Sequence, residues 1–123
     1  MPPAFQTVAI TTIADGSATV YSGKVTGRLI AIKYAPGSSQ LATGADLTIT
    51  AETTGQAILT KANAGVNTVW YYPVAAGNKV ADGAASTLTE VPIFLCNERI
   101  KVVVAEGGDK KTGSIGFLVD AVP

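Results

Sequence analysis

The chain contains no histidine. That removes the side chain most often used as a general base near neutral pH and the commonest ligand for transition metals. There is a single cysteine, Cys96, so neither an intrachain disulfide nor a cysteine-based zinc cluster can form. Cys96 lies in the apolar run Ile93-Phe94-Leu95-Cys96, where a buried, inert thiol is expected. Charge is scarce too: Asp, Glu, Lys and Arg make up 15% of 123 residues, against about 25% in an ordinary soluble domain. The signs cancel to a formal net charge of +0, and the only adjacent basic pair, Lys110-Lys111, follows Asp109. Phosphate binding needs clustered cations, so no nucleic-acid partner is expected. No apolar stretch approaches the roughly 18 residues that span a bilayer. The segment Met1-Pro2-Pro3-Ala4-Phe5 has neither the basic nor the apolar part of a secretory signal. No membrane partner is expected, and the protein should be made and used in a cytoplasm or in a particle assembled there.

Chemical motifs are missing as well. There is no Gly-x-Ser-x-Gly elbow, phosphate-binding loop, EF-hand or dinucleotide fingerprint. The acids sit mostly in turns or on alternating polar faces, where solvation accounts for them, and Asp residues near Gly are too sparse for a calcium site. No catalytic residue, metal site or cofactor is expected, and the chain reads as a non-enzyme.

What is present is apolar and small. Hydrophobic residues make up 47% of the chain, and there are 13 Gly besides. A folded monomer of this mass exposes about 6,200 Å², which leaves one charge per about 340 Å², against about 200 Å² at typical composition. So sparse and neutral a surface does little to keep a protein monomeric. The expectation is that neighbouring subunits cover part of it, in a homo-oligomer or a larger assembly. The competing reading is a Gly-, Ala- and Thr-rich surface that is merely uncharged.

The strand signal is strong and the helix signal nearly absent. Short runs rich in Thr and Val are punctuated by Gly, Asp, Asn and Pro. Strands are expected over 7–13, 18–22 and 27–34, with Gly23 a bend between the last two. In Asp46-Leu47-Thr48-Ile49-Thr50-Ala51-Glu52, the residues Leu47, Ile49 and Ala51 share one face, and a hairpin with 56–61 should follow through Thr53-Thr54-Gly55. A further strand covers 68–72. The closing hairpin places Ile100, Val102 and Val104 opposite Ile115, Phe117 and Val119 in the core, and its tip, 106–113, should project and be mobile. Residues 1–6 read as an extended arm and 74–90 as a long loop of small residues. About eight antiparallel strands in one domain require a closed barrel or packed sheets; the expected fold is a β-sandwich, of which the jelly roll is one form.

Several residues are candidates for contact with a partner. The loop residues Ala84 and Ala85 are small enough to lie against another subunit, although a plain surface loop explains them equally well. Phe5 is an apolar anchor on the N-terminal arm. Leu29, Ile30 and Ile32 lie in an apolar run that points to both faces of its strand, as at a sandwich centre or an interface. In Trp70-Tyr71-Tyr72, the residues Trp70 and Tyr72 share a face. Plugging the core is the commoner use of such a face, and an exposed platform for sugar or protein is the other. Asn97, Glu98 and Lys101 contain the residue types of a Lys–Asn crosslink, a combination too common to signify by itself.

With the strands laid out, the chain resembles small structural proteins of tailed-bacteriophage particles. The likeness is carried by Gly27-Arg28-Leu29-Ile30-Ala31-Ile32-Lys33-Tyr34, by Asp46-Leu47-Thr48-Ile49-Thr50 with Thr54-Gly55-Gln56-Ala57-Ile58-Leu59, and by Trp70-Tyr71-Tyr72-Pro73. Asn97-Glu98-Arg99-Ile100-Lys101-Val102-Val103-Val104 and Gly113-Ser114-Ile115-Gly116-Phe117 extend it over nearly the whole chain. It is a likeness of style with no diagnostic motif, so no functional residue is carried over. It implies a virion component assembled in a bacterial cytoplasm, decorating the capsid or forming the neck or collar, with the major capsid or neck proteins as partners. The reading from another class is a carbohydrate- or receptor-binding β module with Trp70 and Tyr72 as its platform.

Overall fold

A computed structural model describes residues 4–121. Ten strands form: β1 (Ala4–Thr11), β2 (Ala18–Tyr21), β3 (Val25–Pro36), β4 (Asp46–Ala51), β5 (Ala57–Lys61), β6 (Val69–Tyr71), β7 (Val74–Asn78), β8 (Ala85–Glu98), β9 (Ile100–Ala105) and β10 (Thr112–Ala121). No α-helix occurs among the described residues. The larger sheet has the order β1-β10-β3-β8-β7, with β6 also paired to β3, and the smaller has the order β2-β9-β4-β5.

The topology is a jelly roll with an insertion. Antiparallel pairing joins β1 to β10, β2 to β9, β3 to β8 and β4 to β5. These are the successive rungs of one long ribbon whose ends meet and whose far end turns back on itself. Rolling that ribbon up brings β10 beside β3 and β9 beside β4, which closes the two sheets of the sandwich. Strands β6 and β7 are added between β5 and β8.

The core follows from strand alternation. Ile10, Tyr34, Ile93, Leu95, Ile115, Phe117 and Val119 from the larger sheet meet Leu47, Ile49, Ala51, Ile58, Ile100, Val102 and Val104 from the smaller. The expected faces of β4, β9 and β10 are therefore the buried ones. The apolar run in β3 has a different origin from the one the sequence suggests. The register with β10 slips between Leu29↔Val119 and Ala31↔Leu118, so Ile30 is an extra residue and forms a bulge. Before the bulge Leu29 faces inward; after it Ile32 and Tyr34 do. Leu29 and Ile32 are thus both core residues, and neither offers an exposed apolar side chain to a partner.

Other expectations are corrected. Residues 4–6 are no free arm: Ala4, Phe5 and Gln6 pair with Val119, Leu118 and Phe117, because β10 has an edge that needs covering. Residues 1–3 of that arm lie outside the described residues. Cys96 is exposed, because alternation in β8 buries Ile93 and Leu95 and turns Phe94 and Cys96 outward. The β9–β10 tip does not project. The Gly107 N–H donates to the Gly16 carbonyl at 2.8 Å, the Gly107 carbonyl accepts from Ala42 N–H at 3.0 Å, and buried Thr12 Oγ1 accepts from Lys111 N–H at 2.7 Å. Gly16 (φ 82°) permits this approach, since a Cβ there would sit 2.9 Å from the Gly108 nitrogen.

Candidate interaction surface

The element that does project is the one the sequence presents as a loop. Residues 74–90 include β7 and the first part of β8, paired as Val74↔Pro92, Ala75↔Val91, Ala76↔Glu90 and Asn78↔Ala85. The small residues that weaken apolar periodicity here still make a hairpin, because main-chain pairing does not need large side chains. Its turn is closed by Lys79 N–H donating to the Ala84 carbonyl at 2.9 Å and by Ala84 N–H donating to Asp82 Oδ1 at 3.0 Å. Residues 78–85 are exposed throughout, with Val80 wholly so, and Ala84 and Ala85 lie in this tip.

At the base of this arm the larger sheet opens. Strand β8 pairs with β3 only as far as Leu29↔Ile93, and β6 takes over the same edge from Ile32↔Tyr71. Pro92, next along β8, has no N–H to continue the ladder. The interval at the Ile30 bulge is a cleft of about 260 Å³, bordered by Arg28, Ile30, Tyr72, Val74, Glu90 and Pro92. It is an apolar trough whose border includes one cation, Arg28, and one anion, Glu90. Arg28 also contacts Asp120 at 3.5 Å, both side chains being nearly half exposed. Of the β3 residues proposed for contact, buried Leu29 and half-buried Ile30 both line this cleft, and Ile32 does not.

The Trp70 expectation resolves against the core. Tyr71 packs against the core, while Trp70 is 44% exposed and Tyr72 67% exposed. The reason is register: Tyr71 opposes core residue Ile32, and Trp70 opposes outward-facing Lys33. Lys33 Nζ lies 5.7 Å from the Trp70 ring centroid, within cation–π reach. Phe5, 47% exposed, places its ring 6.2 Å from that of Trp70 at a tilt of 44°. Its seat is Gly116, where a Cβ would come within 2.8 Å of Phe5 Cε1. Phe5 and Trp70, from distant parts of the sequence, therefore meet across the outer face of the larger sheet. The contribution of Lys33 and Gly116 was hidden in the sequence; only the pairing register reveals it.

The remaining polar groups serve the fold. Glu98 is 2% exposed. Its Oε1 accepts from Thr54 N–H at 3.0 Å, Thr53 N–H at 3.1 Å and the Thr54 hydroxyl at 3.2 Å. The Thr54 N–H, foremost among these donors, holds the carboxyl below its ordinary value of 4.5 against the opposing effect of burial. The acid is thus engaged with the β4–β5 turn and not with a Lys–Asn pair. Nearby, Arg99 grips Glu52 through Nε at 2.7 Å and through a second nitrogen, and its guanidinium carbon lies 4.1 Å from the Tyr21 ring centroid. Among the described residues no group of three or more Asp, Glu or Cys is placed to hold a metal ion.

No protein-family model matches the chain, and no curated protein matches it.

Proposed function

We propose that this protein is a structural subunit of a bacteriophage particle, of the capsid-decorating or neck and collar kind, working by protein–protein assembly and without catalysis. The carrying observation is the β7–β8 arm. An isolated two-stranded hairpin is marginal in water, and this one extends the edge of the larger sheet into a tip, residues 78–85, that is exposed throughout. Such an element is best accounted for by surfaces it meets outside its own fold. The sparse, balanced charge and the resemblance to virion proteins support the same reading, and jelly rolls recur in viral shells. The other virion proteins are its natural partners, and the virion, assembled in a bacterial cytoplasm, its location.

The test is a complementation assay that follows the protein into purified particles. Ala84→Glu and Ala85→Glu should leave the thermal melt unchanged and reduce incorporation at least tenfold, because a carboxylate would be desolvated only at a contact. Full incorporation of both variants would show that the arm faces water in the particle.

A second reading has its own observation. Trp70 and Tyr72 are exposed, as a carbohydrate- or receptor-binding module requires, and lectin domains use the same fold. Quenching or shift of Trp70 fluorescence by a glycan, lost in Tyr72→Ala, would favour it.

A further inference from the structure

We propose that copies of this chain associate head to tail, the arm tip of one copy seating in the cleft at the arm base of the next. This deepens the assembly reading above and rests on it, adding the partner and the contact.

The two surfaces are complementary in polarity and in charge. The tip offers one apolar knob, Val80, which is wholly exposed and is flanked by Lys79 and Asp82. The cleft offers an apolar trough at Ile30, Tyr72 and Pro92, bordered by Glu90 and Arg28. Seating Val80 in the trough sets Lys79 against Glu90 and Asp82 against Arg28. Each tip charge finds its opposite, and the net charge of +0 puts no long-range repulsion between copies. Arg28 can serve its present partner and a new one, since a guanidinium has several donors and its 3.5 Å contact with Asp120 is half exposed.

The contact has to be between copies. Val74 at the arm base borders the cleft, and Val80 lies at the far end of the same strand and turn. At about 3.3 Å per strand residue the tip stands some 15–20 Å from its own cleft, and the paired hairpin cannot fold back on itself. Tip and cleft are different patches, so the interface is heterologous: repeated, it closes into a ring or grows as a filament.

The experiment is light scattering after size exclusion, over a range of concentrations. Wild-type protein should show a mass rising with concentration in multiples of 12.5 kDa, falling back at high salt. Val80→Asp (tip disabled) and Glu90→Lys (cleft disabled) should each stay monomeric with unchanged melts, both positions being exposed. Mixed together, the intact cleft of the first should bind the intact tip of the second and stop at twice 12.5 kDa. The double change Lys79→Glu with Glu90→Lys should restore self-association. A wild-type protein that remains monomeric up to about 1 mM overturns the proposal. So does an oligomer that Val80→Asp leaves intact, and that outcome still agrees with an assembly role through another surface. Loss of particle incorporation in Ala84→Glu, with tip–cleft mixing unaffected, would likewise separate the two ideas.

Discussion

Glu98 shows how much of this fold a single side chain can hold. It ends β8 in the larger sheet, with only Arg99 between it and the start of β9 in the smaller, and its carboxylate reaches the turn between β4 and β5. The crossing between sheets is thereby tied to a hairpin of the smaller sheet. Removing the acceptor in Glu98→Ala should cost about 1–3 kcal/mol, the usual penalty for stranding such donors. The pH dependence has a definite sign. The folded carboxyl titrates below its ordinary value of 4.5, so its contribution is complete above that value and disappears as pH falls below it toward the folded pKa. Denaturant melts of wild type and Glu98→Gln should therefore converge as pH falls from about 6 to 3. A constant gap over that range would show that the charge does not matter. The neighbouring rows of β4 give a sharper contrast. Ile49 is fully buried and Thr48 exposed. Ile49→Asp should abolish folding by burying an unpaired carboxylate, at several kcal/mol out of about 5–15 for a whole domain. Thr48→Asp should fold with a melting temperature within a few degrees of wild type, and equal loss in both would mean the inward and outward rows are misassigned.

Legibility in the sequence varies from element to element, and for physical reasons. Strands β4, β9 and β10 alternate large apolar with polar residues, so their buried faces can be read directly from Leu47, Ile49, Val102, Val104, Ile115 and Phe117. Where alternation is broken, the reading fails. Leu29-Ile30-Ala31-Ile32 looks two-faced because a bulge inserts one residue and shifts the inward parity, and no local signal marks Ile30 as the extra one. The two hairpin tips are exchanged for a similar reason. Gly-rich and charged, residues 106–111 look mobile, yet the glycines are what let Gly16 and Gly107 approach closely enough to bond. Residues 74–90 look loose, yet they pair, because Ala and Gly allow a ladder while giving no periodic trace. The exposed meeting of Phe5 and Trp70 depends on strands far apart in sequence and was legible only as two separate candidates. The arm itself should be the least protected strand pair. Its amides between Ala75 and Asn78 should exchange with deuterium at least a hundredfold faster than those of Val102 and Phe117, since opening the arm exposes no core. Equal protection would mean that the arm is packed against something in solution, as self-association at the measuring concentration would make it.

The rolled-ribbon topology makes the whole molecule separable into a folding unit and an appendage. Eight strands supply every rung and the four-stranded centre of each sheet, and every large fully buried side chain belongs to these strands or their connections. Among the described residues, the strand pairings that join the arm to this unit are those of β6 with β3 and the continuation of β8. Most pairings link distant parts of the chain, so folding must wait for long loop closures, and a hairpin outside the closed sandwich contributes little to that step. The arm can therefore be removed without dismantling the rest. Ala75 and Val91 are direct partners across the hairpin, so replacing residues 76–90 by Asn-Gly joins them through a turn suited to an antiparallel pair. The shortened protein should keep the β-rich circular dichroism of the parent and melt within about 5 °C of it, corresponding to about 1 kcal/mol. It should also lose all concentration-dependent association, because Val80, Lys79, Asp82 and Glu90 leave together. A melting temperature lower by 15 °C or more would show that the arm supports the sandwich. Retained association would place the contact elsewhere, and the outer face at Phe5 and Trp70 would be the next surface to mutate.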